Sequence, residues 1–109
     1  MLIFNLKKEW FEKIKSGEKT HEYREVKPYW TKRIYNSLLD ISERGKVLFD
    51  RDNTPLYCKF INGYSAKKEN ILNAEIIRIS KINGIHTDLA IDRNVYDIEF
   101  ELLGEQWQE

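Results

Sequence analysis

Gly17-Glu18-Lys19-Thr20-His21-Glu22-Tyr23-Arg24-Glu25 packs seven ionisable side chains and one hydroxyl into nine residues. Gly17 provides a turn that ends what precedes it, and Lys19 to Glu25 reads as a strand. Strand parity sets Thr20, Glu22 and Arg24 on one face, with Lys19, His21 and Tyr23 on the other. If the first face turns inward, a carboxylate and a guanidinium stand two residues apart on a concave surface. Arg24 then offers a planar fork suited to phosphate or to a base edge. Glu22 is an acceptor for an exocyclic amine, or a general base if its pKa is raised. The competing reading is a solvent-facing ladder in which Glu22 and Arg24 neutralise each other, with Lys19 as a plain strand-edge lysine.

Upstream, Leu6, Trp10 and Ile14 recur at helical spacing beside Phe11, predicting a helix over 7–16. Asn5 is its expected N-cap and Gly17 its C′ residue. Leu2 to Leu6 is short and apolar and reads as a strand. Downstream, Pro28 suits a helix N1 position, with Trp30, Ile34, Leu38 and Ile41 on one stripe and Gly45 at the end. Val47 to Phe49 and Leu56 to Ile61 read as strands, and Asn62-Gly63 as a turn. A polar loop over 66–70 precedes an Ile-rich strand over 72–82. Asn83-Gly84 is a further turn, residues 85–94 carry little pattern, and Val95 to Leu103 is the last strand. Five or six short strands with two helices in the N-terminal half predict a β-rich α+β fold, a small partly open barrel. A length of 109 residues suits one domain over 1–109.

Composition narrows the function classes. Hydrophobic residues make up 41% and aromatics 13%, so the chain carries enough apolar mass to fold. One cysteine rules out an intramolecular disulfide and a Cys-based zinc or iron–sulfur site within one chain. With two histidines, neither a metal nor any other cofactor is expected. There is no Walker A or GxGxxG loop. No apolar run approaches the roughly 20 residues of a membrane helix, and no signal peptide is visible; the expected location is the cytoplasm. Net charge is zero, but residues 1–35 hold nine Lys/Arg against five Asp/Glu, and residues 86–109 hold one against seven. The basic third interleaves its cations with Trp10, Tyr23, Tyr29, Trp30 and Tyr35, the residue types that grip a nucleic-acid strand. The acidic third offers a face to a protein partner.

Further candidates lie outside the first cluster. Lys59, Asn62 and Tyr64 flank Gly63, which permits close backbone approach to a ligand, and Tyr64 adds a stacking face. Tyr29 and Arg33 lie one helical turn apart and are expected to face a cleft together. His21 lacks a partner pattern and reads as an ordinary strand residue, and Cys58 as inert core.

Residues 10–24 resemble the hallmark of the ASCH domain, an amphipathic helix ending in a small-residue–Gly turn and then GxKTxExR on a strand. Asn62-Gly63-Tyr64, the strand ending near Gly84 and Tyr96-Asp97-Ile98-Glu99-Phe100 are similar to the arrangement of phage and prophage ASCH proteins. The resemblance implies a PUA-like β-barrel, related to RNA-binding PUA modules and to EVE modules that bind modified bases. It also implies a cleft along the GxKTxExR strand that holds RNA or a nucleotide. Some bacterial ASCH proteins hydrolyse N4-acetylcytidine with a Lys, a Thr and a Glu. Lys19 matches that Lys, while the Thr position falls on Glu22. The expected function is therefore binding of single-stranded RNA or a modified nucleotide through Lys19, Thr20, Glu22, Arg24, Tyr29, Arg33, Lys59, Asn62 and Tyr64. The alternative is a small metal-independent hydrolase of RNA or an acylated nucleoside, with Lys19 and Glu22 as its acid and base.

Overall fold

The structure, a computed structural model, describes residues 1–38, 46–52 and 54–104. Strand β1 (Leu2–Leu6) leads into helix α1 (Lys8–Lys15), strand β2 (His21–Glu25) and helix α2 (Pro28–Ser37). Strands β3 (Val47–Asp50), β4 (Tyr57–Asn62), β5 (Ile71–Asn83) and β6 (Asn94–Leu102) follow. The strands form one sheet in the order β1-β4-β5-β6-β2, with β3 also on β5. It is the expected β-rich α+β fold, a curled half-barrel.

Strand β5 organises the curl. One edge pairs with β4 over Ile71–Glu75 and with β3 over Arg78–Ser80, while the other carries β6 along Ala74–Asn83. A register shift between Ile76 and Arg78 bends the strand there, as an extra residue in a ladder does. The sheet thus wraps around a core of Phe4, Phe60, Ile76, Ile79, Ile98 and Phe100. Phe60 sits at its centre, with ring centroids 5.6 Å from Phe4 and 4.5 Å from Phe100. Strand β1 alternates as its sequence asks, with Leu2, Phe4 and Leu6 buried.

Helix α1 buries Phe11 and Ile14, and Gly17 closes it at φ +85°, a conformation open to glycine at little cost. That closure brings the Lys19 amide onto the Lys13 carbonyl at 3.0 Å. The expected N-cap is corrected: Lys7 occupies that position without a side-chain cap bond, because Asn5 is still part of β1. Helix α2 begins on Pro28 and buries Ile34. Ile41 and Gly45 lie outside the described residues. Among the described residues, no helix is long and apolar enough to cross a membrane.

The acidic strand β6 is paired rather than bare. Asp97 meets His21, and Glu101 meets Arg51, which also reaches Glu75. Nearby, the Arg93 and Lys27 side chains hold the Glu25 carboxyl below its usual range through hydrogen bonds.

Candidate functional site

The two ends of the strand order, β1 and β2, do not pair with each other. Arg24 crosses between them, its Nη2 donating to the Asn5 carbonyl at 3.1 Å. A cleft of about 260 Å³ opens at this seam, lined by Asn5 and Lys7 on one side and Lys19, Glu22, Tyr23 and Arg24 on the other. Leu6, Trp10, Asp88 and Leu89 complete its walls.

Glu22 anchors the site. In register it lies opposite Ile98, and Arg24 opposite Tyr96; both partners are fully buried. Cross-strand partners share a face, so Glu22 and Arg24 turn into the half-barrel, as parity predicts. The Glu22 side chain is only 7% exposed. Its Oε2 accepts from Arg24 Nε at 3.1 Å and Nη2 at 2.6 Å. Its Oε1 lies 3.4 Å from Lys19 Nζ, which also donates to Asp88. Glu22 and Arg24 therefore do pair, but in the cleft floor rather than as a solvent-facing ladder.

Lys19 departs from the parity expectation. Strand β2 starts only at His21, so Lys19 sits in the turn and folds back to the Glu22 side. Its side chain is 8% exposed. The ammonium stands 5.0 Å from the Tyr23 ring centroid and 5.5 Å from that of Trp10. The Arg24 guanidinium rests 4.8 Å above Trp30 and 5.3 Å from Phe4, which ties its plane to the aromatic core. Burial raises the Tyr23 phenol, aided by the charges of Asp97, Asp88 and Glu22, so it stays a protonated donor. Burial, and then the Glu22 charge, pushes the Cys58 thiol up to about 12. Cys58 is inert core, as its sequence position suggests.

Opposite charges 4 Å apart gain about 4 kcal/mol at an effective dielectric of 20. Taking each ion out of water costs several kcal/mol. The two terms oppose each other, so such a cluster is weak evidence of stabilisation by itself. Buried charges at a cleft fit binding or chemistry better than folding.

The other candidates are dispersed. Thr20 is exposed and lines a neighbouring cleft of about 330 Å³ with Trp10, Lys13 and His21. Its carbonyl accepts from the Phe100 amide at 3.1 Å. Tyr29 and Arg33 do share a cleft, one of about 460 Å³ between β1 and α2. Lys59 pairs in register with Ile3 and Asn73, on the sheet face opposite Cys58 and Phe60, away from the Glu22 side. Asn62 bonds Asn70 at 3.2 Å, and Tyr64 is 90% exposed in the turn after β4. None of the last three lines any of these clefts.

His21 Nδ1 lies 2.6 Å from Asp97 Oδ1, a partner 76 residues away that no local pattern announces. Asp88 was not among the candidates at all; it enters from the weakly patterned 85–94 segment, 69 residues from Lys19. Trp10 does carry a sequence signal, as one of the aromatic residues interleaved with the cations of the basic third. Among the described residues, no group of three or more His, Cys, Asp or Glu is placed to hold a metal ion. No family model, curated protein or solved structure matches the chain.

Proposed function

We propose that the β1–β2 cleft recognises a nucleotide, as a binding module for single-stranded RNA or a modified nucleotide. The observation that carries this reading is the buried Glu22, fixed between Lys19 and Arg24 in a cleft with Trp10 and Tyr23 as walls. A nucleobase is flat and presents donors and acceptors along one edge. The cleft supplies both kinds of partner beside aromatic rings. At about 260 Å³ it falls near the lower end of ligand pockets, roughly 300–1,000 Å³, which suits one base rather than a duplex. The chain's net charge of zero also argues against duplex binding, which calls for a strongly basic face. The resemblance of residues 17–24 to the ASCH pattern points the same way.

The test is fluorescence anisotropy of a labelled single-stranded RNA with the parent protein and with Arg24→Ala, at low and moderate salt. Saturable binding weakened tenfold or more, about 1.4 kcal/mol, is the expected result. Equal affinity in the two proteins would remove Arg24, and with it this cleft, from recognition. One observation favours a second reading. The Lys19 ammonium and Glu22 carboxylate stand 3.4 Å apart in the cleft, the arrangement of an acid–base pair for metal-independent hydrolysis of an acylated nucleoside. A denaturing gel and a nucleoside product assay on the same samples address it. Turnover surviving in Glu22→Gln would exclude that role.

A further inference from the structure

The Glu22–Arg24 cleft lies between two others. It shares Trp10, Lys19, Tyr23 and Asp88 with the 330 Å³ cleft and Asn5 with the 460 Å³ cleft, while those two share no lining residue. The three clefts therefore form one track. Each flank of it carries a ring with a cation against it. Lys13 Nζ stands 4.9 Å from the Trp10 centroid, and the Arg33 guanidinium 3.4 Å from that of Tyr29. Arg33 Nη1 also donates to the Tyr29 carbonyl at 3.1 Å, which holds ring and guanidinium together as a ledge. Tyr29 is 55% exposed, although a ring on an amphipathic helix is free to pack inward.

Charge follows the same track. Apart from Asp88 and Leu89, every residue lining the three clefts comes from residues 1–37. That is the part of the chain with the largest excess of basic over acidic residues. Five Lys/Arg against three Asp/Glu line the three clefts, an excess of positive charge beside the Trp10 and Tyr29 rings. Bases stack on any aromatic face whatever their identity, and phosphates pair with the cations between.

We infer, on the reading that the central cleft takes a nucleotide, that the ligand is a single strand of at least three nucleotides. One base enters the Glu22–Arg24 cleft, and its neighbours lie on Trp10 and on the Tyr29–Arg33 ledge. The flanks supply affinity without sequence preference, and the centre supplies selectivity.

The experiment uses a fluorescein-labelled trinucleotide RNA of mixed sequence, with the four ribonucleoside monophosphates as competitors. Parent, Arg24→Ala, Tyr29→Ala and Arg33→Gln proteins are compared, with circular dichroism as the folding control. The trinucleotide is expected to bind about tenfold or more tighter than the best monophosphate, as one or two added stacks require. Tyr29→Ala narrows that advantage about tenfold. Arg33→Gln lowers the salt slope of trinucleotide binding by about 0.7, one phosphate contact on a single strand. A trinucleotide that binds no tighter than a monophosphate, with the monophosphate still requiring Arg24, overturns the track and leaves the central cleft standing. The same holds if Tyr29→Ala leaves the ratio of the two affinities unchanged. Binding of neither probe overturns the nucleotide reading itself.

Discussion

The β5–β6 ladder and the β1–β2 seam belong to one sheet and are held by opposite means. Along β5–β6 the register runs from Ala74–Leu102 to Asn83–Asn94, so backbone groups satisfy one another. The side chains beneath it, Ile76, Ile79, Ile98 and Phe100, are apolar and buried. At the seam no ladder forms, and a guanidinium reaches a strand-edge carbonyl instead. An unpaired strand edge leaves donors and acceptors that need partners. Here side chains supply part of that need, and a cleft opens over Glu22, Arg24 and Lys19. The half-barrel thus keeps its hydrophobic stability where strands pair and its buried charge where they do not.

The largest expected effect tests the apolar half of that contrast. Phe60 is fully buried between Phe4 and Phe100, and Phe60→Ala should cost about 3–5 kcal/mol. Urea unfolding of the two proteins measures it; a loss below about 1 kcal/mol would mean the site collapses freely.

The charged half gives the next effect. Glu22→Ala strands Arg24 and part of Lys19 without a counter-charge and should cost about 3 kcal/mol. Replacing the whole cluster, as Lys19→Met with Glu22→Leu and Arg24→Met, should return stability to within about 1 kcal/mol of the parent while abolishing nucleotide binding. A triple variant less stable than Glu22→Ala would make the cluster structural rather than functional.

Alkaline stability offers a smaller effect. The Cys58 thiol is pushed up to about 12 in the folded chain from an ordinary 9.0, so the unfolded chain ionises first. The stability this contributes is intact below about pH 9 and falls by about 1.4 kcal/mol per pH unit up to about pH 12. The raised Tyr23 phenol works in the same direction above about pH 10. Cys58→Ala should flatten this limb in denaturant titrations stepped from about pH 8 to about pH 11. An unchanged slope would assign the alkaline loss elsewhere.

Tyr64 should show the least. It is 90% exposed and lines neither the seam nor the flanking clefts. Tyr64→Ala should leave stability within about 0.5 kcal/mol and RNA affinity unaltered; a tenfold loss of affinity would extend the binding surface to the β4–β5 turn.

Much of the architecture was legible because its signals are local. Alternation set β1, helical spacing set α1, Gly17 placed the turn and Pro28 started α2. The inward face of Glu22 and Arg24 followed from a period of two. Misjudged features involve an element boundary or a distant partner. Asn5 reads as a cap because Leu6, the last residue of β1, falls on the helical spacing of Trp10 and Ile14. Strand alternation sets Lys19 opposite Glu22, but Lys19 lies in the turn before β2, where the period of two does not hold. Lys59, Asn62 and Tyr64 looked like one binding group, but turn chemistry does not say which sheet edge a turn borders. Asp88 had no signal, since segment 85–94 has no periodicity of its own.

The sequence by itself determined the order of the elements and the face on which Glu22 and Arg24 stand, because propensity and periodicity act over a few residues. Tertiary structure alone decided that β1 and β2 stay unpaired and that Arg24 spans the gap. It also brought Asp88 to Lys19 and gathered the basic third around one track of clefts. Those outcomes depend on strand order and register, which arise from contacts across the whole chain rather than from any stretch of it.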